Sequence, residues 1–288
     1  MRDTILFGDC RETLKEFDEK ARMCVTSPPY YGLRNYGDEE YQIGLEQTPE
    51  EFIKQLVNVF KEVKNVLTDD GTLWVNVGDS YYNYRPGRGQ GLAKQTVSNT
   101  KQDLPDVCPR GGNRLEGLKE KDLIGIPWMF AFAMRADGWY LRQDIIWNKP
   151  NPMPESVRDR CTKAHEYIFL FSKNQNYYFD VDAIKEPTRR KRSVWNVQKK
   201  PYRGAHFAVY PPDLIEPCIK AGSEKGDIVL DPFMGSGTTA MVAKSLGRDY
   251  IGCELHEDYG NLIQKRLNEY CPVKELSQPT SINILDIV

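Results

Sequence analysis

Along the chain, short apolar runs of strand length alternate with longer stretches in which apolar residues recur at helical spacing. The run "TILFGD" closes on Gly8-Asp9, and "RMCVTS" closes on two consecutive prolines. Neither alternates cleanly between apolar and polar, which is the pattern of strands covered on both faces. In "TPEEFIKQLVNVFKEVKNVLTDDG", Phe52, Leu56, Val59, Phe60, Val63 and Leu67 share one helical face. Thr48 with Glu51 makes a capping box, Pro49 suits the first helical position, and Gly71 marks the end. This predicts a crossover helix feeding the strand "TLWVNVG".

Periodicity then vanishes from Tyr81 to Lys121, where "YRPGRGQGLAKQ" and "CPRGGNR" predict a functional or mobile loop. It resumes with a helix around "IPWMFAFAMRADG" and the strands "YLRQDIIWNK" and "EYIFLFSK". A basic, strand-poor stretch covers 174–205. The helix "PPDLIEPCIKAG", the strand "DIVLDPF", a glycine turn, the helix "TTAMVAKSLG", the strand "YIGCEL" and the helix "EDYGNLIQKRLNEY" follow. Strands alternating with helices predict an α/β fold: a Rossmann-like, doubly wound, mostly parallel sheet carrying inserted loops.

Composition narrows the class. With 288 residues and 28% charged, the chain can bury a large α/β core. No apolar run approaches the roughly 20 residues of a membrane span, and the start lacks signal-peptide features, so the expected location is cytoplasmic. Seven cysteines without a C-x-x-C pair, and three scattered histidines, predict reduced core thiols and no metal site. The net charge is only −2, yet Lys185, Arg189, Arg190, Lys191, Arg192, Lys199, Lys200 and Arg203 face Glu186 alone within 185–205. A second excess of basic residues lies in 81–121. Such local concentration in an acidic protein predicts a polyanion footprint.

Chemistry enters at two places. In "IVLDPFMGSGTTA", Gly235, Ser236, Gly237 and Thr238 sit between a strand and a helix, and Glu254 ends the next strand. That order matches a nucleotide fingerprint in which glycines admit backbone close to the ligand and an acid binds ribose hydroxyls. No Lys follows the glycines, so a Walker A loop is excluded. A dinucleotide and S-adenosylmethionine both remain. Position favours the second, because a dinucleotide fold usually opens with this turn, and Asp231-Pro232-Phe233 is unlike an ordinary dinucleotide loop.

The other place is Ser27-Pro28-Pro29-Tyr30. Each proline fixes its own φ, and Pro29 pushes Pro28 toward an extended conformation, so the Pro28 carbonyl becomes a preset acceptor. Ser27 adds a polar contact and Tyr30 a ring for stacking. An aromatic amine is a poor nucleophile because its lone pair spreads into the ring. Two aimed acceptors can hold its protons and turn the lone pair toward a methyl sulfonium. In duplex DNA the nucleotide must first be flipped out, at a cost of a few kcal/mol.

"TSPPYYG" followed by "DPFMGSGTT" resembles the amino-group DNA methyltransferases of the beta class, in which the target-base motif precedes the cofactor motif. The blocks "LFGDCRETL", "IIWNKPNPMPESVRDRCTKAHEYIFLFSK" and "HFAVYPPDLIEPCIKAG" extend the likeness over most of the chain. The resemblance implies a circularly permuted order: a target-base half at 1–80, an inserted basic loop at 81–122, catalytic domain continued at 123–173, a target-recognition region at 174–205 and a cofactor half at 206–288. It implies S-adenosylmethionine as cofactor, with Gly235, Ser236, Gly237 and Thr238 cradling its methionine part. Glu254 would take its ribose and Asp9 its adenine, with Asp231 and Phe233 in the same cofactor-binding set. Ser27 in the first motif position is similar to cytosine-N4 enzymes. Transfer to cytosine N4 in DNA is the expected reaction and a restriction endonuclease the expected partner. Adenine-N6 methylation and a catalytically silent DNA-binding module stay open as alternatives. Arg189, Arg190, Lys191, Arg192, Lys199, Lys200 and Arg203, with Tyr81, Tyr82, Tyr84, Trp195 and Tyr202 interleaved, would track phosphates. Pro217-Cys218 lies in an apolar helix and reads as core, while Asp79 is a weak candidate for assisting.

Overall fold

The computed structural model describes residues 1–32, 41–82, 115–199 and 210–270. Expected DNA contacts at Lys200 and Arg203, with Tyr84 and Tyr202, lie outside them, as do residues 83–114 of the basic loop. The strands are β1 (Thr4–Phe7), β2 (Ala21–Thr26), β3 (Leu67–Val77), β4 (Tyr140–Asn148), β5 (His165–Ser172), β6 (Val194–Asn196), β7 (Ile228–Asp231) and β8 (Asp249–Glu254). These eight form one sheet in the order β1-β8-β7-β2-β3-β5-β4-β6. All neighbouring pairs are parallel except β3 with β5 and β5 with β4. The sequence accounts for that reversal. Between β4 and β5 no helical stretch intervenes, and strands joined without a crossover helix pair antiparallel.

Helices cover both faces. The helices α1 (Cys10–Thr13), α2 (Pro49–Val66) and α3 (Ile126–Ala136) pack on one side, and α4 (Pro212–Gly222), α5 (Thr238–Ser245) and α6 (Tyr259–Tyr270) on the other. In β3, Leu73, Val75 and Val77 join the first core while Trp74 joins the second, so a near-continuous apolar strand serves two cores. The α2 capping box is present in both directions: Glu51 N donates to Thr48 Oγ1 at 3.2 Å and Thr48 N to Glu51 Oε2 at 3.3 Å.

Two expectations change. Gly71 does not close α2; the helix ends at Val66, and Gly71 lies inside β3 where its pairing with β2 shifts register. A Cβ there would lie 2.9 Å from Thr68 O, so the irregularity requires glycine. The stretch 174–205, read as strand-poor, carries among its described residues the short strand β6, which extends the sheet beside β4. Trp195 in β6 is 5% exposed and packs in the second core, with its indole N–H donating to Arg192 O, so it is not an interface aromatic. No helix among the described residues is long and apolar enough to cross a membrane.

Candidate active site

Five parallel strands bring their C-terminal ends to one edge in the order β1, β8, β7, β2, β3. From β7 the chain crosses to β8, and from β2 it crosses to β3. The adjacent β7 and β2 therefore diverge, which makes their ends the topological switch point where open α/β sheets bind ligands. Asp9 follows β1, Glu254 ends β8, residues 231–238 follow β7, and Ser27–Tyr30 follow β2. The two motifs, far apart in sequence, share one crevice edge.

Asp231 joins them. Its carboxylate is 1% exposed and accepts from Thr26 Oγ1 (2.5 Å) at the end of β2, Phe233 N (3.0 Å), Tyr210 OH (3.1 Å) and Thr239 Oγ1 (2.5 Å). Burial raises its pKa although the hydrogen bonds from Thr239, Thr26, Phe233 and Tyr210 all pull it down. Asp231 thus sits beneath the turn as its anchor. Phe233 is half-buried against the first core.

The turn itself takes positive φ at Gly235 (+53°) and Gly237 (+78°), a region that L side chains rarely adopt. A Cβ on Gly237 would also lie 2.8 Å from Ile263 Cγ2 of α6. Arg266, 5% exposed on α6, donates to Ser236 O (2.8 Å), Ser236 Oγ (2.5 Å) and Thr238 Oγ1 (3.0 Å). The Ser236 and Thr238 hydroxyls therefore serve the architecture of the turn. Glu254 accepts from Gly235 N (2.7 Å) and His256 N (3.1 Å), and burial pushes its carboxyl up to about 7. Asp9 caps α1 through Arg11 N (2.9 Å) and pairs with the Arg11 guanidinium (2.6 Å), which also reaches Gln55.

At the corner, Pro28 is buried and Ser27, Pro29 and Tyr30 are half-buried. Tyr31 is core: 3% exposed, it packs on Phe52 and donates to Gln47 O at 3.0 Å. The Tyr30 ring rests on Gly78 just past β3, where a Cβ would approach its Cε2 to 2.5 Å. The Tyr30 hydroxyl donates to Glu166 Oε2 (2.7 Å) from β5, and Ser27 Oγ donates across a long 3.4 Å to Asn76 Oδ1 on β3. Asn76 Nδ2 donates to Glu166 Oε2 (3.2 Å) and Tyr167 O (3.1 Å). Lys149, 6% exposed, closes the group with an ion pair to Glu166 Oε1. Burial pushes the Glu166 carboxyl up, but Lys149 and the Tyr30 and Asn76 donors outweigh it and hold the group below the usual carboxylate range.

Asn76, Lys149, Glu166 and Arg266 were not singled out from sequence. The available signal was polarity: Asn76 interrupts an otherwise apolar run, and Lys149 and Glu166 flank the loop between two apolar strands. Asp79 has a different place from that expected. Its carboxylate accepts from Ser80 N (2.8 Å), Gly125 N (3.0 Å) and Ile126 N (3.1 Å), so it anchors the start of α3. Cys218 is core as expected, fully buried with its thiol pushed up by burial.

The basic residues divide. Arg189, Arg190 and Arg192 are exposed and lead into β6; Arg189 pairs with Glu186 (2.6 Å), and the Lys191 ammonium lies 4.9 Å from the Trp195 ring. Lys199 follows β6, whose direction carries it to the same edge as the corner, and it acts electrostatically on Lys149. Burial also lowers Lys163, whose Nζ is enclosed without a hydrogen-bond partner among the described residues. Arg160 lies 3.8 Å over the Tyr81 ring. No group of three or more His, Cys, Asp or Glu among the described residues is placed to hold a metal ion.

Fold and crevice define a Rossmann-like, doubly wound α/β protein whose proline corner and glycine turn share one edge of the sheet. The chain belongs to the DNA methylase family, whose model matches residues 21–265. It is 50% identical over 274 residues to the Type II methyltransferase M.XycI of Xanthomonas campestris pv. cyanopsidis, covering 93% of this chain and 88% of that one. It is 48% identical over 271 residues to the Type II methyltransferase M.SmaI of Serratia marcescens, covering 91% of this chain and 90% of that one. Among solved structures, the PvuII DNA methyltransferase described as cytosine-N4-specific superposes with TM-score 0.68 at 21% identity, covering 92% and 86%, a likeness of fold. A protein of Thermus thermophilus, described as a DNA modification methylase and complexed with S-adenosyl-L-methionine, gives TM-score 0.64 at 25% identity, covering 93% and 94%.

Proposed function

We propose that this protein methylates the N4 amino group of cytosine at a specific site in DNA, using S-adenosylmethionine. The observation that carries the reading is the Thr26–Asp231 hydrogen bond, which fixes the end of the base-holding strand beside the end of the cofactor strand. The residues present fit the cofactor. Glu254 offers a buried carboxylate, with a pKa near 7, suited to ribose hydroxyl donors, and the turn at Gly235 and Gly237 brings main chain to the crevice. Asp9 lies on the neighbouring strand end for the adenine. Asp231, Ser236 and Thr238 act one step removed, holding the turn, and Phe233 flanks it. The domain divisions read from the sequence belong to this same proposal.

Bound S-adenosylmethionine supplies an electrophilic methyl group on a sulfonium. The chain's own residues do the rest by position. The Pro28 carbonyl and Ser27 hydroxyl accept from the amine of an extruded base, and the Tyr30 ring, backed by Gly78, is the stacking surface. Holding both amine protons directs the nitrogen lone pair away from the ring system. Arg190, Arg192 and Lys199 contact phosphates, joined by Arg189, Lys191, Lys200 and Arg203. Cytosine over adenine is supported by Ser27 in the first motif position and by the description of the PvuII relative in fold. A cognate restriction endonuclease, cutting the same site when unmethylated, completes the reading.

The test is to methylate DNA with the purified protein, hydrolyse it and identify the modified nucleoside, with single-molecule sequencing to map the site. N4-methylcytosine is expected; N6-methyladenine would replace the base assignment, and no modified base would overturn the reading. Ser27→Ala and Tyr30→Ala should each reduce turnover while cofactor affinity stays near normal.

A further inference from the structure

The base-holding scheme leaves Glu166, Asn76 and Lys149 without a task, although all three are buried or nearly so against the corner. Their hydrogen bonds have a definite direction. An ionised carboxylate only accepts. Glu166 Oε2 takes one amide proton of Asn76, and Tyr167 O takes the other. Turning the Asn76 amide over would set its oxygen against both of these acceptors, so the orientation is fixed. Asn76 Oδ1 therefore faces the hydroxyls of Ser27 (3.4 Å) and Tyr30 (3.5 Å); the Tyr30 proton goes to Glu166 Oε2 at 2.7 Å, so the proton toward Oδ1 comes from Ser27. A hydroxyl committed as a donor has only lone pairs left for a third group. Lys149 keeps the arrangement in force by holding the carboxylate ionised.

We infer that Glu166 is a specificity-determining positioning residue: by fixing the Asn76 amide it sets Ser27 as an acceptor, so the site takes a base bearing an amine and rejects one bearing a carbonyl there. This rests on the reading that Ser27 holds the target base. Sites built for one hydrogen-bond direction discriminate strongly because the wrong partner leaves buried polar groups unpaired.

The test uses Glu166→Gln, whose amide can donate or accept, so that only one of the two fixed acceptors on Asn76, Tyr167 O, remains. Two duplexes are compared, one with the mapped target base and one with its carbonyl counterpart, uracil for cytosine or hypoxanthine for adenine. The affinity ratio is read in wild type and variant on the same pair, so the mismatch cancels. Glu166→Gln should lower kcat by about tenfold or more and collapse the amine preference toward unity, leaving KM for S-adenosylmethionine within about twofold. Asn76→Ala, which removes the acceptor of Ser27, should do the same. The double variant should be no worse than Asn76→Ala alone, because Glu166 acts through Asn76. Retained preference and turnover in Glu166→Gln, or losses that multiply in the double variant, would overturn the inference. A wild type that modifies no base would instead sink the underlying reading.

Discussion

Thr26 Oγ1 donates to Asp231 Oδ1 across 2.5 Å, bridging residues 205 positions apart and locking the ends of β2 and β7 side by side. Together with the backbone pairing of Met23 with Val229 and Cys24 with Leu230, this buried contact holds the ends of the two strands side by side.

Thr26→Val keeps shape and removes that donor. Stability should fall by about 2 kcal/mol, read by urea denaturation, because a buried carboxylate loses one of its partners. Cofactor affinity should weaken as well, since the same carboxylate holds the turn. An unchanged dissociation constant would show that the two strand ends are set independently.

Glu254 predicts a pH dependence with a definite sign. Its folded pKa, about 7, lies above the ordinary 4.5, so its contribution to stability is fully present below 4.5 and is lost as pH rises through 7. The size is on the order of 3 kcal/mol. Cofactor affinity should run the other way, strengthening as pH rises through 7, because ribose hydroxyls donate best to the ionised carboxylate. Glu254→Gln should flatten both profiles in parallel melting and titration series.

Gly237→Ala places a methyl 2.8 Å from Ile263 Cγ2 at a φ of +78°. Overpacking and backbone strain together should cost about 2–4 kcal/mol. Adding Ile263→Ala should relieve the clash but not the strain, so thermal stability should recover only in part.

Gly78→Ala separates ring placement from backbone strain, because Gly78 is not in the left-handed region. Its methyl would meet Tyr30 Cε2 at 2.5 Å and push the ring aside. We expect kcat to drop about tenfold or more with the cofactor dissociation constant unchanged. Normal turnover would remove Tyr30 from the base-holding set.

DNA affinity should fall steeply with salt, and Arg190→Ala and Arg192→Ala should each reduce the slope of log affinity against log salt by about one. A slope indifferent to both would take the segment before β6 out of the interface.

What the sequence made legible was what local chemistry decides. The Thr48–Glu51 box, the apolar face of α2 and the glycine turn before α5 are written within a few residues each, and they appear as expected. Gly71 misled because a helix stop and a strand irregularity use the same residue for different reasons. Trp195 misled because a buried tryptophan and a stacking one look alike among arginines until β6 is seen to pair with β4. The Glu166 network was out of reach for a stronger reason. Asn76 meets Glu166 only through the antiparallel pairing of β3 with β5, in which Val77 lies opposite Tyr167, and no local pattern encodes that register. Ser236 and Thr238 were placed on the right turn, but their contact with Arg266 was not legible, since Arg266 arrives from another helix.

One consequence of strand order concerns how the protein is made. A ribosome delivers β1 well before its sheet neighbour β8, so Thr4 must wait for Ile251. At common elongation speeds the delay is roughly 10 to 50 seconds. Throughout that interval the nascent polypeptide already carries its proline corner while Asp9 and Glu254 have yet to meet. Until β8 has been made, β1 has no neighbour along this edge of the sheet, and the edge closes only when the two strands pair.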